Sequence, residues 1–187
     1  MKRIFLIAGL ATAFLLVVVA ASAQKAGFAG IWGLDKAKSQ GLSQRMQGAD
    51  KVTLTITQDD KTIVLDQKVE GGQPPAGGGA GGGGGMGGGR GAGAGGPQSY
   101  NLDGKEATSD VTFGQNTGKR TMKATTSGGT LELMSKTSFT AQDGSERVNT
   151  VTQKLSLSAD GKTLTVVTHR EGGQQQAPDT TAVYNKQ

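Results

Sequence analysis

Residues 52–69 read VTLTITQDDKTIVLDQKV, and this stretch decides the fold. Val52, Leu54 and Ile56 alternate with threonines, so apolar side chains recur with a period of two residues. Such a period places one face of a β-strand in a core and the other face in water. Two aspartates then supply a turn, and a second β-branched run follows them. The stretch therefore predicts an antiparallel β-hairpin.

The same pattern of two strands joined by a tight turn occurs twice more along the chain. Lys119–Thr126 and Thr130–Thr137 flank a Ser-Gly-Gly turn, and Arg147–Ser158 and Lys162–Arg170 flank an Asp-Gly turn. Gly-Gly and Asp-Gly suit the tight turns whose twist matches a hairpin. About nine short strands result when three further segments are added: Phe28–Leu34, Ser99–Asp103 and Thr180–Asn185.

The predicted fold class is all-β, an antiparallel up-and-down meander of about eight or nine strands. An open meander would expose edges that invite aggregation, so we expect it to close into a small barrel. Helix is scarce, and residues 35–47 are expected to hold a turn or two.

The N-terminus reads as a targeting segment. Lys2 and Arg3 precede an uncharged run of residues 4–21, and Ala21-Ser22-Ala23 offers the small-x-small site that a signal peptidase needs. We therefore predict a signal peptide over residues 1–23, cleavage before Gln24, and an exported product that is periplasmic or secreted. A retained membrane anchor is the alternative, although such anchors usually end in basic residues. Cleavage would leave no membrane span.

The remaining chain, residues 24–187, has the length of a single domain. Residues 71–97 hold 17 glycines in 27 positions, and ordering glycine costs much backbone entropy. We predict a flexible Gly-rich insertion there, which can join two neighbouring strands because loop closure costs grow slowly with length. Its matches to a dinucleotide fingerprint are discounted because no helical pattern follows them.

Composition narrows the function classes. The chain has no cysteine, so it forms neither disulfides nor a lipid-modified N-terminus. The formal charge of +5 falls to +3 without Lys2 and Arg3, and the basic residues are dispersed. A balance that small predicts no nucleic-acid partner.

Catalytic and metal signatures are missing from the sequence. One histidine and no cysteine cannot form the usual zinc sites, and alternation predicts that His169 faces water. The segment from Phe113 to Thr121 resembles a phosphate loop only superficially, because its glycine spacing is wrong. Asp103, Glu106 and Asp110 are interpreted as turn and surface residues. We therefore expect no enzyme activity, no cofactor and no metal.

One family resemblance remains. The Gly30-x-Trp32 element on the first strand, shortly after a signal peptide, resembles the lipocalins and their relatives. The longer run of residues 28–39, with Asp103-Gly104-Lys105 and residues 160–166, is similar to small exported bacterial β-barrel proteins of unassigned function. The resemblance implies that Trp32 closes one end of the barrel beneath an arginine, for which Arg170 is the candidate. No second lipocalin motif is present.

Two functions from different classes follow. The first is an exported lipocalin-like binding module for a small apolar or amphipathic ligand, with no catalysis, because barrels of about eight strands hold one small ligand. The alternative is a structural or interaction protein of the cell envelope. In that case the Gly-rich tract and the threonine-rich strand faces would contact a protein or a polysaccharide.

Overall fold

The computed structural model describes residues 27–71, 96–113, 116–140, 144–172 and 178–187. The predicted signal peptide, residues 1–23, lies outside the described residues, as does most of the Gly-rich insertion predicted over residues 71–97.

Ten strands and one short helix make up the described chain. In order they are β1 Gly30–Leu34, α1 Gln44–Gly48, β2 Lys51–Gln58, β3 Thr62–Glu70, β4 Gln98–Asn101, β5 Ala107–Phe113, β6 Asn116–Ser127, β7 Thr130–Thr140, β8 Glu146–Leu157, β9 Thr163–Gly172 and β10 Thr180–Lys186. The fold class is all-β, as predicted, with one strand more than expected. The additional strand is β5, whose sequence ATSDVTF carries too few apolar residues for a clear alternation.

The strands form one antiparallel sheet in the order β4-β3-β2-β1-β10-β9-β8-β7-β6-β5. Every two strands that are neighbours in the sheet, except β1 and β10, are also consecutive in sequence, which is the predicted up-and-down meander. Pairing of β1 with β10 joins the two ends of the domain. The sheet curls into a nearly closed barrel in which β4 contacts β6 across the remaining opening between β4 and β5.

The two ends of the barrel differ, and we name them here. The base holds the β2–β3, β6–β7 and β8–β9 turns, at residues 59–61, 128–129 and 158–162. The rim holds the ends of β3, β7 and β9 and the starts of β6, β8 and β10. At the base, Gly128 and Gly129 both adopt positive φ angles, of 55° and 81°, as the predicted Gly-Gly hairpin turn requires.

The helix lies at the rim and is shorter than the segment in which it was expected. Ser43 begins it, and the Ser43 hydroxyl accepts a hydrogen bond from the Met46 amide at 3.4 Å. Leu42 and Ala49, on either side of α1, are buried, while Met46 packs against the edge of the core. Among the described residues no helix is long and apolar enough to cross a membrane.

Candidate functional site

The inward face of the barrel follows from strand alternation. Buried residues on each strand share one parity, so their neighbours two positions along also face the interior. Strand register groups these inward side chains into rows around the barrel. Near the base lies what we call the base layer, a mainly apolar set: Ala124, Leu131, Leu133, Leu155, Leu164, Val166, Ala182 and Tyr184. Its polar members are Gln153 and the buried Thr168, which lie in register with Leu133.

Closer to the rim lies a second set, which we call the rim layer. It consists of two registered rows, Arg120–Thr137–Asn149 and Met122–Ser135–Val151–Arg170. This layer mixes apolar with polar side chains and carries two arginines. Of the rim-layer residues, only Arg170 was predicted from the sequence as a candidate site residue. Counting every second residue from Ala124 along β6, and from Leu155 along β8, would have found Arg120 and Asn149.

Solvent access changes sharply between the two layers. On β7, Leu131 and Leu133 are buried, whereas Ser135 and Thr137 are only half-buried although they face the same interior. On β9, Leu164 is buried and Arg170 is half-buried. The inward side chains near the base are therefore buried, whereas most of those nearer the rim are half-buried.

The row Arg120–Thr137–Asn149 holds the most polar chemistry of the interior. Thr137 lies between the other two residues in register, so all three side chains share one patch of the inner wall. The Asn149 Oδ1 atom is buried and has no hydrogen-bond partner among the described residues. A buried amide oxygen without a partner costs about 1–3 kcal/mol, so this position favours a hydrogen-bond donor.

Tyr100 lies at the opening between β4 and β5 and is 2% exposed. The Tyr100 hydroxyl donates a hydrogen bond to Gln98 Oε1 at 2.9 Å. Burial raises the pKa of Tyr100 to about 12, while the positive charge of Arg120 acts on that pKa in the opposite direction. The strand that carries Tyr100, β4, contacts β6, which carries Arg120, across this opening.

The acidic residues and the arginines of the strands lie on opposite faces of the sheet. Alternation turns every acidic residue of the described strands outward: Asp66, Glu70, Asp110, Glu132, Glu146 and Glu171. It turns the three arginines of the same strands inward: Arg120, Arg147 and Arg170. Lysines in these strands point outward, with the exception of Lys186 at the base. The inner face is therefore electropositive toward the rim.

Trp32 lies at the base and is completely buried. The Trp32 Nε1–H donates a hydrogen bond to the Phe28 carbonyl at 3.0 Å, and the Phe28 amide donates to Gln58 Oε1 at 3.0 Å. Phe28 is itself buried, so the segment before β1 folds across the base. Gly30 has a φ of +149°, and an added Cβ would lie 3.2 Å from Lys186 Cε. Its backbone conformation therefore favours glycine, and a side chain there would also displace Lys186 slightly.

Arg170 and Trp32 lie toward opposite ends of the barrel. Lys186 pairs with Trp32 in register, and the Lys186 amide donates a hydrogen bond to the Lys162 carbonyl. Lys162 therefore marks the end of the barrel at which Trp32 lies. Residues 162 to 170 span about 26 Å of strand, which places Arg170 toward the other end. Lys186 Nζ lies 5.4 Å from the centre of the Trp32 ring. The cation over the Trp32 ring is thus Lys186, whereas the resemblance implied that it would be Arg170. The barrel-closing role of Gly30, Trp32 and Arg170 stays a prediction.

His169 lies on the outward face of β9, with its side chain 44% exposed. Its Nδ1 atom is 2.5 Å from Asp179 Oδ1, and its Nε2 atom is 3.3 Å from Glu171 Oε1. Hydrogen bonding and charge attraction to Asp179, with a smaller contribution from Glu171, raise the pKa of His169. This arrangement ties β9 to the segment before β10.

Asp103, Glu106 and Asp110, which lie close together in the sequence, are exposed and form no cluster. Asp103 accepts a hydrogen bond from the Lys105 amide at 2.9 Å, and Asp110 pairs with Lys119 at 3.3 Å. In the part of the chain that the structure describes, no group of three or more His, Asp or Glu side chains could hold a metal ion.

Two clefts open away from the rim layer. One of about 320 Å³ lies beside the rim ends of β5, β6 and β7 and includes Asp110, Lys119 and Glu146. The other, of about 260 Å³, lies between Lys36 and Gln47, at the segment that precedes α1. The first cleft is lined by charges of both signs, whereas Lys36 is the charged residue that lines the second.

No protein-family model matches the chain, and no curated protein sequence matches it. Among solved structures, two mutants of the fluorescent protein UnaG are similar to this chain. One is 15% identical, with a TM-score of 0.45, and the match covers 86% of this chain and 96% of that one. The other is 15% identical, with a TM-score of 0.44, and covers 85% and 95%.

Proposed function

We propose that this protein is a non-catalytic carrier that binds one small amphipathic molecule in the rim layer of its barrel. The observation that carries the proposal is the division of the inner face. A buried, mainly apolar base layer lies beneath a rim layer that is partly polar and, apart from Val151, half-buried. An amphipathic molecule matches both, with its apolar part against the base layer and its polar part among the rim-layer side chains.

The apolar part of this surface is substantial. Met122 and Val151 belong to the rim layer itself, and Leu133 lies directly below Ser135 on the same strand. Each buried methylene group of a ligand contributes about 0.8 kcal/mol on transfer from water. A chain or ring system of modest size therefore supplies enough free energy to displace the water of the rim layer.

We further propose that the carrier works outside the cytoplasm, in the periplasm or beyond the cell. The support is the predicted signal peptide over residues 1–23, with its basic start and its Ala21-Ser22-Ala23 site. N-terminal sequencing of the protein recovered from the periplasm or the medium of its host tests this. A mature chain that begins at Gln24 is expected, and a chain that retains Met1 in the membrane fraction would contradict it.

The binding proposal is tested with a filled rim layer. Val151 lies in register between Ser135 and Arg170, so Val151→Trp places a large ring in the centre of the rim layer. We expect this variant to lose at least tenfold in affinity for a dansyl-labelled eleven-carbon alcohol, measured by fluorescence. Val148→Trp is the matched control, because Val148 lies on the same strand but faces outward and is exposed.

Native mass spectrometry on the protein purified from its host adds an independent readout. An extra mass that organic extraction removes is expected for the wild-type protein and not for Val151→Trp. Failure of the wild-type protein both to carry such a mass and to bind the dansyl probe would refute the proposal.

The envelope-interaction alternative has one observation in its favour. Thr53, Thr55 and Thr57 line the outward face of β2, as the alternation predicted, and are available to a partner. The Gly-rich tract that this alternative also invokes lies mainly outside the described residues. Deletion of residues 72–95 separates the two functions, because the carrier proposal requires that probe binding survives the deletion.

A further inference from the structure

One buried acceptor of the rim layer lacks a hydrogen-bond donor. Asn149 lies on the inward face of β8, and its Oδ1 atom is buried with no hydrogen-bond partner among the described residues. Its neighbour in register on β7 is Thr137, yet the Thr137 hydroxyl does not donate to it. A buried amide oxygen strongly favours a donor, because its lone pairs have left water without compensation. The structure therefore holds an acceptor whose donor the described chain does not supply.

Gly172 leaves the wall open beside Asn149. The two residues pair in register, so β9 places no side chain next to the Asn149 amide. An added Cβ at Gly172 would collide with the Val148 carbonyl oxygen, which means that a larger residue does not fit there. Asn149 is half-buried as a whole, so a small rotation of its side chain presents Oδ1 to the barrel interior. A head group of a few atoms can therefore reach this oxygen.

The charge of the surroundings restricts the kind of donor. A carboxylate offers only acceptors, so it cannot satisfy Asn149 Oδ1. An ammonium group donates, but it would lie near the guanidinium groups of Arg120, in the same row, and of Arg170, in the neighbouring row. Both arginines have interaction partners within the protein, so neither requires an anion from the ligand. Because like charges repel, an uncharged donor is the group that fits.

Resting on the proposed carrier function, we infer that the ligand is an uncharged amphiphile whose polar head, a hydroxyl or an N–H group, donates a hydrogen bond to Asn149 Oδ1. Its apolar part lies toward Met122 and Val151, which belong to the adjacent row. Asn149 is then the specificity-determining residue of the rim layer. A site that accepts from a hydroxyl or N–H group rejects an analogue that lacks the hydrogen, because the acceptor is left unpaired.

The test compares four probes that share one dansyl-labelled eleven-carbon chain and differ only at the head. The heads are an alcohol, a carboxamide, a methyl ether and a primary ammonium. For the wild-type protein we expect the alcohol probe to bind at least fivefold tighter than the methyl ether, which keeps the oxygen but has no hydrogen to donate. The carboxamide, an N–H donor, is also expected to bind tighter than the ether, and the ammonium probe to bind most weakly.

A variant assigns the preference to Asn149. Asn149→Leu removes the acceptor and keeps a side chain of similar size. The alcohol and methyl ether probes are expected to bind this variant within twofold of each other, because neither head then finds the acceptor. Thr150→Val is the matched control, since Thr150 follows Asn149 on β8 and faces outward, in register with Lys136 and Glu171. This control is expected to keep the wild-type preference.

The outcomes separate this inference from the function on which it rests. If the alcohol and methyl ether probes bind equally to the wild-type protein and both are lost in Val151→Trp, the carrier function stands and the donor inference is overturned. If the ammonium probe binds as tightly as the alcohol, the restriction to uncharged heads is wrong. If the alcohol preference persists in Asn149→Leu, the assignment to Asn149 is wrong. If no probe binds the wild-type protein, the carrier function itself fails. The wild-type head-group comparison needs no variant to fold.

Discussion

Trp32 shows how much of this barrel depends on single side chains. The domain has few large apolar residues, and Trp32 and Phe28 supply two of the largest buried volumes. The indole is anchored at both its polar and its apolar surfaces. Its Nε1–H reaches the Phe28 carbonyl, and its ring lies beneath the Lys186 ammonium group. Such an arrangement fixes the path of the chain across the base.

Substitution of Trp32 is therefore expected to be costly. We predict that Trp32→Ala lowers the free energy of unfolding by about 3–5 kcal/mol, because it leaves a cavity in the base. Trp32→Phe is expected to lose less, mainly the hydrogen bond to Phe28, which is worth about 1 kcal/mol. Urea denaturation measures both values. Equal stability of Trp32→Ala and the wild-type protein would show that the base is not part of the cooperative core.

At the scale of elements, hairpins account for most of the sheet, and their turns were readable from the sequence. The β2–β3, β6–β7 and β8–β9 hairpins occur where the predicted turns place them. β5 was missed because Ala107, Val111 and Phe113 give only a faint period among polar neighbours. Pairing with β6 establishes this strand, so a contact distant from its own residues decides its structure.

The junction between β9 and β10 gives the protein a pH-dependent contact. His169 pairs with Asp179 and Glu171, and these contacts raise the pKa of His169 above its usual value of 6.5. A raised folded-state pKa means that the stabilisation is fully present below pH 6.5. It is lost as the pH rises through the folded-state pKa.

We predict that His169→Gln has a lower melting temperature than the wild-type protein at pH 5.5, and that the difference disappears by pH 8.5. Differential scanning calorimetry at both pH values measures this. Asp179→Asn is expected to show the same pattern, since it removes the main partner. A difference that grows toward pH 8.5 would contradict the direction of the pKa shift.

At the scale of the whole molecule, the barrel is closed where β1 meets β10, and it is least complete between β4 and β5. Inward side chains near the base are buried, and most of those nearer the rim are half-buried. A ligand that enters the rim layer therefore contacts several strands at once, and its binding must stabilise the entire cooperative unit.

We predict that the dansyl-labelled eleven-carbon alcohol raises the melting temperature of the wild-type protein in a concentration-dependent manner. At 100 times the dissociation constant, linkage adds about 2.7 kcal/mol to the free energy of unfolding. Val148→Trp is expected to behave like the wild-type protein, and Val151→Trp to show no increase. A probe that stabilises Val151→Trp as much as the wild-type protein must bind elsewhere.

The amino-acid sequence by itself determined the all-β class, the meander and the turn positions, because alternation and turn chemistry are local properties of the chain. Val52, Leu54 and Ile56 face the core for that reason alone. Only the tertiary structure decided which inward residues meet. Trp32 lies beneath Lys186, toward the end opposite Arg170, and Arg120 shares a row with Asn149. Register and barrel closure set these neighbours, and both depend on contacts between residues that are far apart in the chain.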